Sequence, residues 1–102
     1  TRLHTILCDI TKEREIEILV SNAIKEFGHI QILVNNAGVM DNFEAVANVT
    51  NSQWDRIMNV NLRGPFMLMR LLIPHFLHHK KTIKFYFLRF DSRPTLLKFP
   101  FL

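Results

Sequence analysis

A small polar turn that ends in glycine follows directly on a run of strand-forming residues, and this junction constrains the fold more than any other feature. The run is residues 30–34, and the turn is Asn35-Asn36-Ala37-Gly38. A parallel α/β sheet presents its ligand crevice at the carboxyl ends of its strands, where such turns lie. The junction therefore predicts an α/β sheet with a ligand site beside the turn.

The residues before this junction predict two further elements of the same sheet. Residues 3–8 are mostly apolar and are predicted to form a buried strand, with Thr11 as the N-cap of the next helix. Apolar residues then recur at helical spacing as far as Phe27, and Gly28 is predicted to end this helix. A strand, a helix and a strand joined by short turns form a βαβ unit, so the sheet is predicted to be parallel.

A long helix is predicted over residues 51–79, after a helical turn near residues 44–47. Residues 50–53 match the capping-box pattern that opens such a helix. In the second half of this helix, apolar side chains occupy nearly every side, so the helix must be covered on more than one face. The sheet would cover one face and a partner chain another, and aspartate at Leu68 or Leu72 is predicted to disrupt that pairing.

Residues 82–102 have a less regular pattern of apolar and polar residues than the chain before them. Residues 82–90 are predicted to form a strand, although they alternate poorly between apolar and polar. Residues 91–94 carry a turn signal. Residues 95–102 are short, apolar and basic, and they indicate no second domain.

The composition argues against several classes of protein. The net charge of +4 is not concentrated in a long basic run, so no nucleic-acid partner is expected. Cys8 is the only cysteine, which excludes an internal disulfide and favours a cytoplasmic location. No apolar run reaches the roughly 18 residues of a membrane span, so no membrane insertion is expected.

Four motifs resemble, in order, those of the short-chain dehydrogenase/reductase family. They are Asp9, Asn35-Asn36-Ala37-Gly38, Asn59-Val60-Asn61-Leu62 and Pro74-His75. The resemblance implies an α/β fold with an incomplete doubly wound parallel sheet, Rossmann-like, running from the family's third strand to its fifth helix. Residues 1–81 would then be a partial dinucleotide-binding domain, and residues 82–102 a divergent apolar and basic tail.

The resemblance implies NAD or NADP as the cofactor and a small carbonyl or alcohol as the substrate. It places cofactor binding at Asp9, Ile10, Asn36, Ala37 and Gly38. From the residues alone, Asp9 could instead be a turn residue, and the three turn residues could be a plain turn with a left-handed glycine.

Asn61 stands in the position of the family's catalytic asparagine. Pro65 has no N–H, so the Asn61 carbonyl loses its usual helical donor and is predicted to bind water, while Gly64 loosens the same turn. The alternative is that Asn61 is an ordinary surface residue of the helix and that Pro65 only bends the helix. Asn35 is predicted to brace neighbouring strands through its side chain rather than to touch a ligand.

The departures from the family concern its catalytic and phosphate-binding parts. The chain has no Gly-x-x-x-Gly-x-Gly loop, and Phe90, not lysine, stands four residues after the only tyrosine, Tyr86. The catalytic role of Asn61 is therefore interpreted as vestigial, and productive cofactor binding is not expected. Three hypotheses remain open: an inactive relative, an active oxidoreductase whose sequence is truncated at both ends, and a non-enzymatic module that pairs with intact relatives through the 51–79 helix.

Histidines cluster at the end of the predicted long helix. His75 and His79 share a face of that helix, with His78 beside them. No cysteine or carboxylate joins them, and histidines suit the negative end of a helix dipole. The prediction is therefore that there is no metal site.

The two strands predicted before the polar turn also affect the expected stability of the isolated chain. The family resemblance implies the strand order 3-2-1-4-5, in which residues 3–8 and 30–34 would be strands 3 and 4 and would not be neighbours. Their unpaired backbone groups predict that the isolated polypeptide is marginally stable or prone to aggregation.

Overall fold

Helices make up most of the described part of the chain. The structure is a computed structural model that describes residues 3–79 and the backbone of residues 84–87 and 95–97. The elements in chain order are α1 (Glu13–Phe27), β1 (Ile32–Asn35), a 3₁₀ turn (Val46–Asn48), α2 (Asn51–Met58), a π-helical segment (Asn59–Arg63), α3 (Gly64–His78), β2 (Lys84–Phe87) and β3 (Thr95–Leu97). The predicted turn at residues 91–94 lies outside the described residues, as does the chain beyond residue 97.

The described strands form one three-stranded sheet in the order β1-β2-β3. β1 pairs parallel with β2, with Ile32 opposite Lys84, and β3 runs antiparallel to β2. The helices between β1 and β2 therefore connect two parallel strands, as in a βαβ unit. The α/β prediction is confirmed, and within the predicted strand at residues 82–90 the structure describes β2.

The predicted strand at residues 3–8 is wrong. This segment pairs with none of the described strands, and Leu3 and Leu7 are 88% and 99% exposed. Apolar composition does not hold a strand in place, because its backbone N–H and C=O groups need a paired neighbour. In the strand order expected for this fold, the neighbour of this segment is not β1.

The two ends of α1 differ in how well they were predicted. Lys12, not Thr11, is the N-cap, and the Thr11 hydroxyl donates to Asp9 Oδ1 at 2.7 Å. Gly28 ends the helix as predicted, with φ of 70° and its N–H bonded to the Ile24 carbonyl at 2.8 Å. The His29 N–H then bonds the Phe27 carbonyl at 2.7 Å, which makes a γ-turn around Gly28. Glycine suits this left-handed position because it has no Cβ.

The hydrophobic core lies between α1 and α3. Its buried members are Ile16, Val20, Met67, Leu68, Leu72 and Phe76. An ion pair at the edge, Arg70 to Glu13 at 2.9 Å, joins the same two helices, but both side chains are half exposed, so it contributes at most about 1 kcal/mol. Burial of apolar surface therefore dominates this packing.

The burial pattern corrects the predicted pairing face of the long helix. Leu68 and Leu72 lie in the core, so aspartate there would unfold the chain rather than separate partners. The exposed apolar side chains of this helix include Leu62, Phe66 and Leu77. None of the described helices is both long and apolar enough to cross a membrane.

The predicted long helix is confirmed, with one irregularity in its middle. Its first turn carries the predicted capping box: the Gln53 N–H donates to Thr50 Oγ1 at 3.2 Å, and the Thr50 N–H donates to Gln53 Oε1 at 2.8 Å. The helical turn predicted near residues 44–47 is present as Val46–Asn48.

Candidate functional site

The polar turn lies at the carboxyl end of β1, as the sequence predicts. Asn35 ends the strand and is buried, whereas Asn36, Ala37 and Gly38 are exposed. Small side chains and accessible backbone at this position leave room for a ligand to approach closely. The three exposed residues are therefore available for the contacts predicted of them.

The side chain of Asn61 holds the far end of this turn. Its Oδ1 accepts the Val39 N–H at 2.8 Å, and its Nδ2 donates to the Val39 carbonyl at 2.8 Å. A carboxamide presents one acceptor and one donor end, which matches the two polar groups of a single residue's backbone. The turn is thereby fixed to the helix.

The helix widens where Asn61 lies. Asn59–Arg63 is π-helical, and the Gly64 N–H donates to the Asn59 carbonyl, five residues back. Pro65 cannot donate to the Asn61 carbonyl, and a π turn is one of the ways in which a helix accommodates such a gap. The loosening predicted from Gly64 and Pro65 is therefore present, while water binding by the Asn61 carbonyl stays a prediction.

Gly64 brings residues 9–10 against the same part of the helix. A Cβ at this buried position would lie 2.9 Å from Ile10 Cδ1 and 3.1 Å from the Ile10 carbonyl oxygen. A larger residue would force the chain segments apart, because the Ile10 backbone cannot rotate away as a side chain can. The two segments predicted to bind cofactor thus meet one short stretch of helix, at Asn61 and at Gly64.

Asp9 has the turn role, which is one of the two roles that the sequence left open. Its Oδ1 accepts the Thr11 N–H at 2.9 Å and the Thr11 hydroxyl at 2.7 Å, so the turn role is present. These two hydrogen bonds, the one from the Thr11 side chain first, lower the pKa of Asp9 below its ordinary value. The carboxylate is exposed and has lone pairs for a further donor, such as an exocyclic amino group.

The buried side chain of Asn35 lacks the strand-bracing bonds predicted for it. Neither Oδ1 nor Nδ2 has a hydrogen-bond partner within the described part of the chain. An unsatisfied buried amide costs about 1–3 kcal/mol, so Asn35 does not supply the stabilisation that bracing would give.

The residues present fit only the adenosine part of a nicotinamide dinucleotide. An exposed carboxylate at Asp9 and accessible backbone at residues 36–38 suit an adenine and a ribose. The sequence has no glycine-rich loop for the diphosphate and no Tyr-x-x-x-Lys for proton transfer.

Two contacts that build this site were not predicted from the sequence. The motif match identified Asn61, but its bonds to Val39 join residues 22 apart. The packing of Gly64 on Ile10 likewise depends on the folded chain, whereas the widening of the helix was predicted from Gly64 and Pro65. A glycine directly before a proline inside a helical pattern was the one available hint of a close approach.

Comparison with known proteins indicates the same family over most of the chain, up to residue 83. A family profile described as short chain dehydrogenase matches residues 1–83. The short-chain dehydrogenase/reductase olcF of Penicillium canescens is 45% identical over 75 residues, which are 72% of this chain and 29% of that protein. The 3beta-hydroxysteroid dehydrogenase 2 of Eggerthella lenta is 33% identical over 76 residues, 74% of this chain and 29% of that protein.

Solved structures agree in fold. A 3-ketoacyl-(acyl-carrier-protein) reductase from Brucella melitensis, complexed with NADH, superposes with a TM-score of 0.70 at 39% identity, over 72% of this chain and 31% of that one. A metagenomic short-chain oxidoreductase in complex with NADP gives a TM-score of 0.72 at 27% identity, over 76% and 35%. The chain thus spans about three-tenths of the length of the relatives that it matches.

Proposed function

Because the chain belongs to the short-chain dehydrogenase family, we propose that residues 1–81 are the adenosine-binding part of an NAD- or NADP-dependent oxidoreductase. Relatives complexed with NADH and with NADP support this choice of cofactor. The named activities of the relatives, a ketoacyl reductase and a hydroxysteroid dehydrogenase, support a small carbonyl or alcohol as the substrate class. Residues 82–102 are proposed to be a divergent tail, although β2 and β3 within it join the sheet of β1.

One observation carries the proposal: the turn after β1 and the segment at residues 9–10 are attached to the same stretch of helix. Asn61 holds the turn through Val39, and Gly64 packs on Ile10. In the proposed role, Asp9 accepts a hydrogen bond from the adenine amino group, and Ile10 lies against the adenosine. The backbone of residues 36–38 faces the ribose.

The nicotinamide, when bound, supplies or accepts the hydride. The residues of this chain contribute binding and orientation, and Asn61 keeps the ribose-contacting turn in place. Proton transfer in this family belongs to a tyrosine with a lysine four residues later, and Tyr86 is followed at that distance by Phe90. We therefore propose that the 102-residue chain does not catalyse hydride transfer and does not bind the cofactor productively.

A chimera tests the proposal. Residues 3–79 would replace the matching segment of the Brucella melitensis reductase, and the chimera is expected to keep reductase activity when it is assayed with NADH. Asp9→Ala in the chimera is expected to raise the KM for NADH by about ten- to a hundredfold, because a hydrogen bond to a charged group is worth about 1.5–3 kcal/mol. Asp55→Ala, at an exposed position of α2, is the matched control and should leave KM unchanged. A folded chimera in which both variants have the same KM would contradict the assignment of Asp9.

The hypothesis of a non-enzymatic pairing module receives no support from the comparisons. Pairing is proposed instead as a property of the oxidoreductase, through the exposed apolar side chains of the long helix. Leu62 and Phe66 are more than half exposed on consecutive turns, beside Met58. A cytoplasmic location also stays a proposal, based on the single cysteine and open to test by cell fractionation.

Light scattering tests the pairing. The chain is expected to have twice its monomer mass at high concentration, and Leu62→Asp is expected to reduce this to the monomer mass, because a buried unpaired charge opposes association. Ser52→Asp, at an exposed position of α2, should not change the mass. A wild-type monomer, or a dimer that survives Leu62→Asp, would disprove pairing through this surface.

A further inference from the structure

Three histidines from distant parts of the sequence meet at the end of α3. His75 and His79 lie one turn apart, and the His79 N–H donates to the His75 carbonyl at 3.4 Å, so that turn is intact. His29 comes from the segment between α1 and β1, and its ring centroid lies 5.8 Å from that of His75 and 4.4 Å from that of His79. The rings of His75 and His79 are 4.6 Å apart. The sequence pattern identified only the two helical residues.

The backbone holds His29 at this position. The γ-turn at Gly28 ends α1, and His29 follows it directly. One residue later, the Ile30 N–H donates to His75 Nε2 at 3.3 Å, which ties this segment to α3. His29 and His75 are both half-buried. The cluster is thus built by a constrained turn, and not by long surface side chains that happen to meet.

We propose that His29, His75 and His79 form a binding site for a divalent transition-metal ion, with Zn²⁺ as the representative. One nitrogen from each ring can be chosen so that all three lie within 4.8 Å of one another. Zinc binds histidine nitrogens at about 2.0–2.1 Å, so tetrahedral ligands lie about 3.4 Å apart. The rings must therefore draw together by roughly 1.4 Å, and His79, as the C-cap residue of α3, is at a position where the backbone can adjust.

The ligand set limits which ions fit. Imidazole suits zinc, copper and nickel, whereas magnesium and calcium prefer oxygen ligands. Three histidines leave the fourth tetrahedral position for water or an external ligand. The site lies at the opposite end of α3 from Gly64 and away from the turn that we assign to the adenosine, so it does not depend on the proposed function.

Metal binding would replace a hydrogen bond that His75 accepts. A neutral imidazole has one nitrogen lone pair, and that of His75 accepts the Ile30 N–H over a long 3.3 Å. Coordination by His75 replaces this weak hydrogen bond. In return, the ion joins the end of α3 to the segment that enters β1, so binding should stabilise the folded chain.

Zinc titration of the complete 102-residue chain tests the proposal. Calorimetry is expected to show one equivalent of Zn²⁺ bound, and the unfolding temperature should rise with the Zn²⁺ concentration but not with Mg²⁺. His29→Ala and His79→Ala should each weaken binding at least roughly tenfold, because even outer-shell changes at metal sites cost about 10–100-fold. His78→Ala, on the same helical turn, and His4→Ala are the matched controls and should bind Zn²⁺ as the wild type does.

Two further measurements distinguish a site that requires the folded chain from histidines that bind zinc without it. The same titration in denaturant should show much weaker binding, and circular dichroism should show that the variants keep their helix content. His29→Gln, which keeps a polar side chain of similar size, should lose binding as the alanine variant does. The proposal is overturned by binding that survives His29→Ala, by equal binding in denaturant, or by a loss on His78→Ala as large as that on His79→Ala.

Discussion

Replacing Asn61 with leucine is expected to lower the free energy of unfolding by about 2–4 kcal/mol, because the change leaves two partly buried groups of Val39 unpaired. Leucine is close to asparagine in size, so the loss reports on hydrogen bonding more than on packing. The measurement is urea denaturation of the chimera, with the chain itself as a second host. Amide exchange at Val39 should accelerate in the same variant, because the turn is released from the helix.

Two companion variants sharpen this test. Asn61→Asp can still accept the Val39 N–H but cannot donate to the Val39 carbonyl, so it is expected to lose stability as well. Asn42→Ala removes an exposed asparagine and should change the unfolding free energy by less than about 0.5 kcal/mol. If Asn61→Leu behaves like Asn42→Ala, Asn61 does not hold the turn.

Replacing Leu72 with alanine is expected to cost about 2–5 kcal/mol, through lost burial and the cavity that remains. Leu72 is 3% exposed, between α1 and α3. Small domains are stable by only about 5–15 kcal/mol, so this one change should unfold a large share of the molecules or send them to the insoluble fraction. Denaturation midpoints and helix content by circular dichroism would measure the effect.

Leu77 provides the control on the same helix. Its side chain is 52% exposed, so Leu77→Ala should cost less than about 1 kcal/mol. Equal losses at the two positions would mean that the packing of α3 on α1 is not the main source of stability.

The elements that the sequence predicted well are those set by neighbouring residues. The capping box at Thr50 and Gln53 and the glycine that ends α1 depend on a few consecutive residues, and the structure has them. The strand at residues 3–8 failed because a strand requires pairing with another segment, which periodicity does not report. The side of the long helix that faces the core was likewise undetermined, because apolar residues on nearly all sides mark no preferred face. Packing against α1 determines which side of the long helix is buried.

The candidate site also contains some features that neighbouring residues predict and others that they do not. A motif match identified Asn61 and the turn after β1, since those residues stand in a family pattern at family spacing. The bonds from the Asn61 side chain to Val39 and the approach of Gly64 to Ile10 depend on tertiary geometry. The histidine cluster is similar, because His29 carries no local mark that links it to α3. Contacts between residues far apart in sequence are what single-sequence reasoning lacks.

NADH oxidation by the purified 102-residue chain, with a panel of small ketones and aldehydes, tests the central claim most directly. The account predicts no turnover above the protein-free rate, while the chimera that carries residues 3–79 within the Brucella melitensis reductase is active in the same assay. Turnover by the 102-residue chain itself would contradict the account, because its sequence has no Tyr-x-x-x-Lys and no glycine-rich loop.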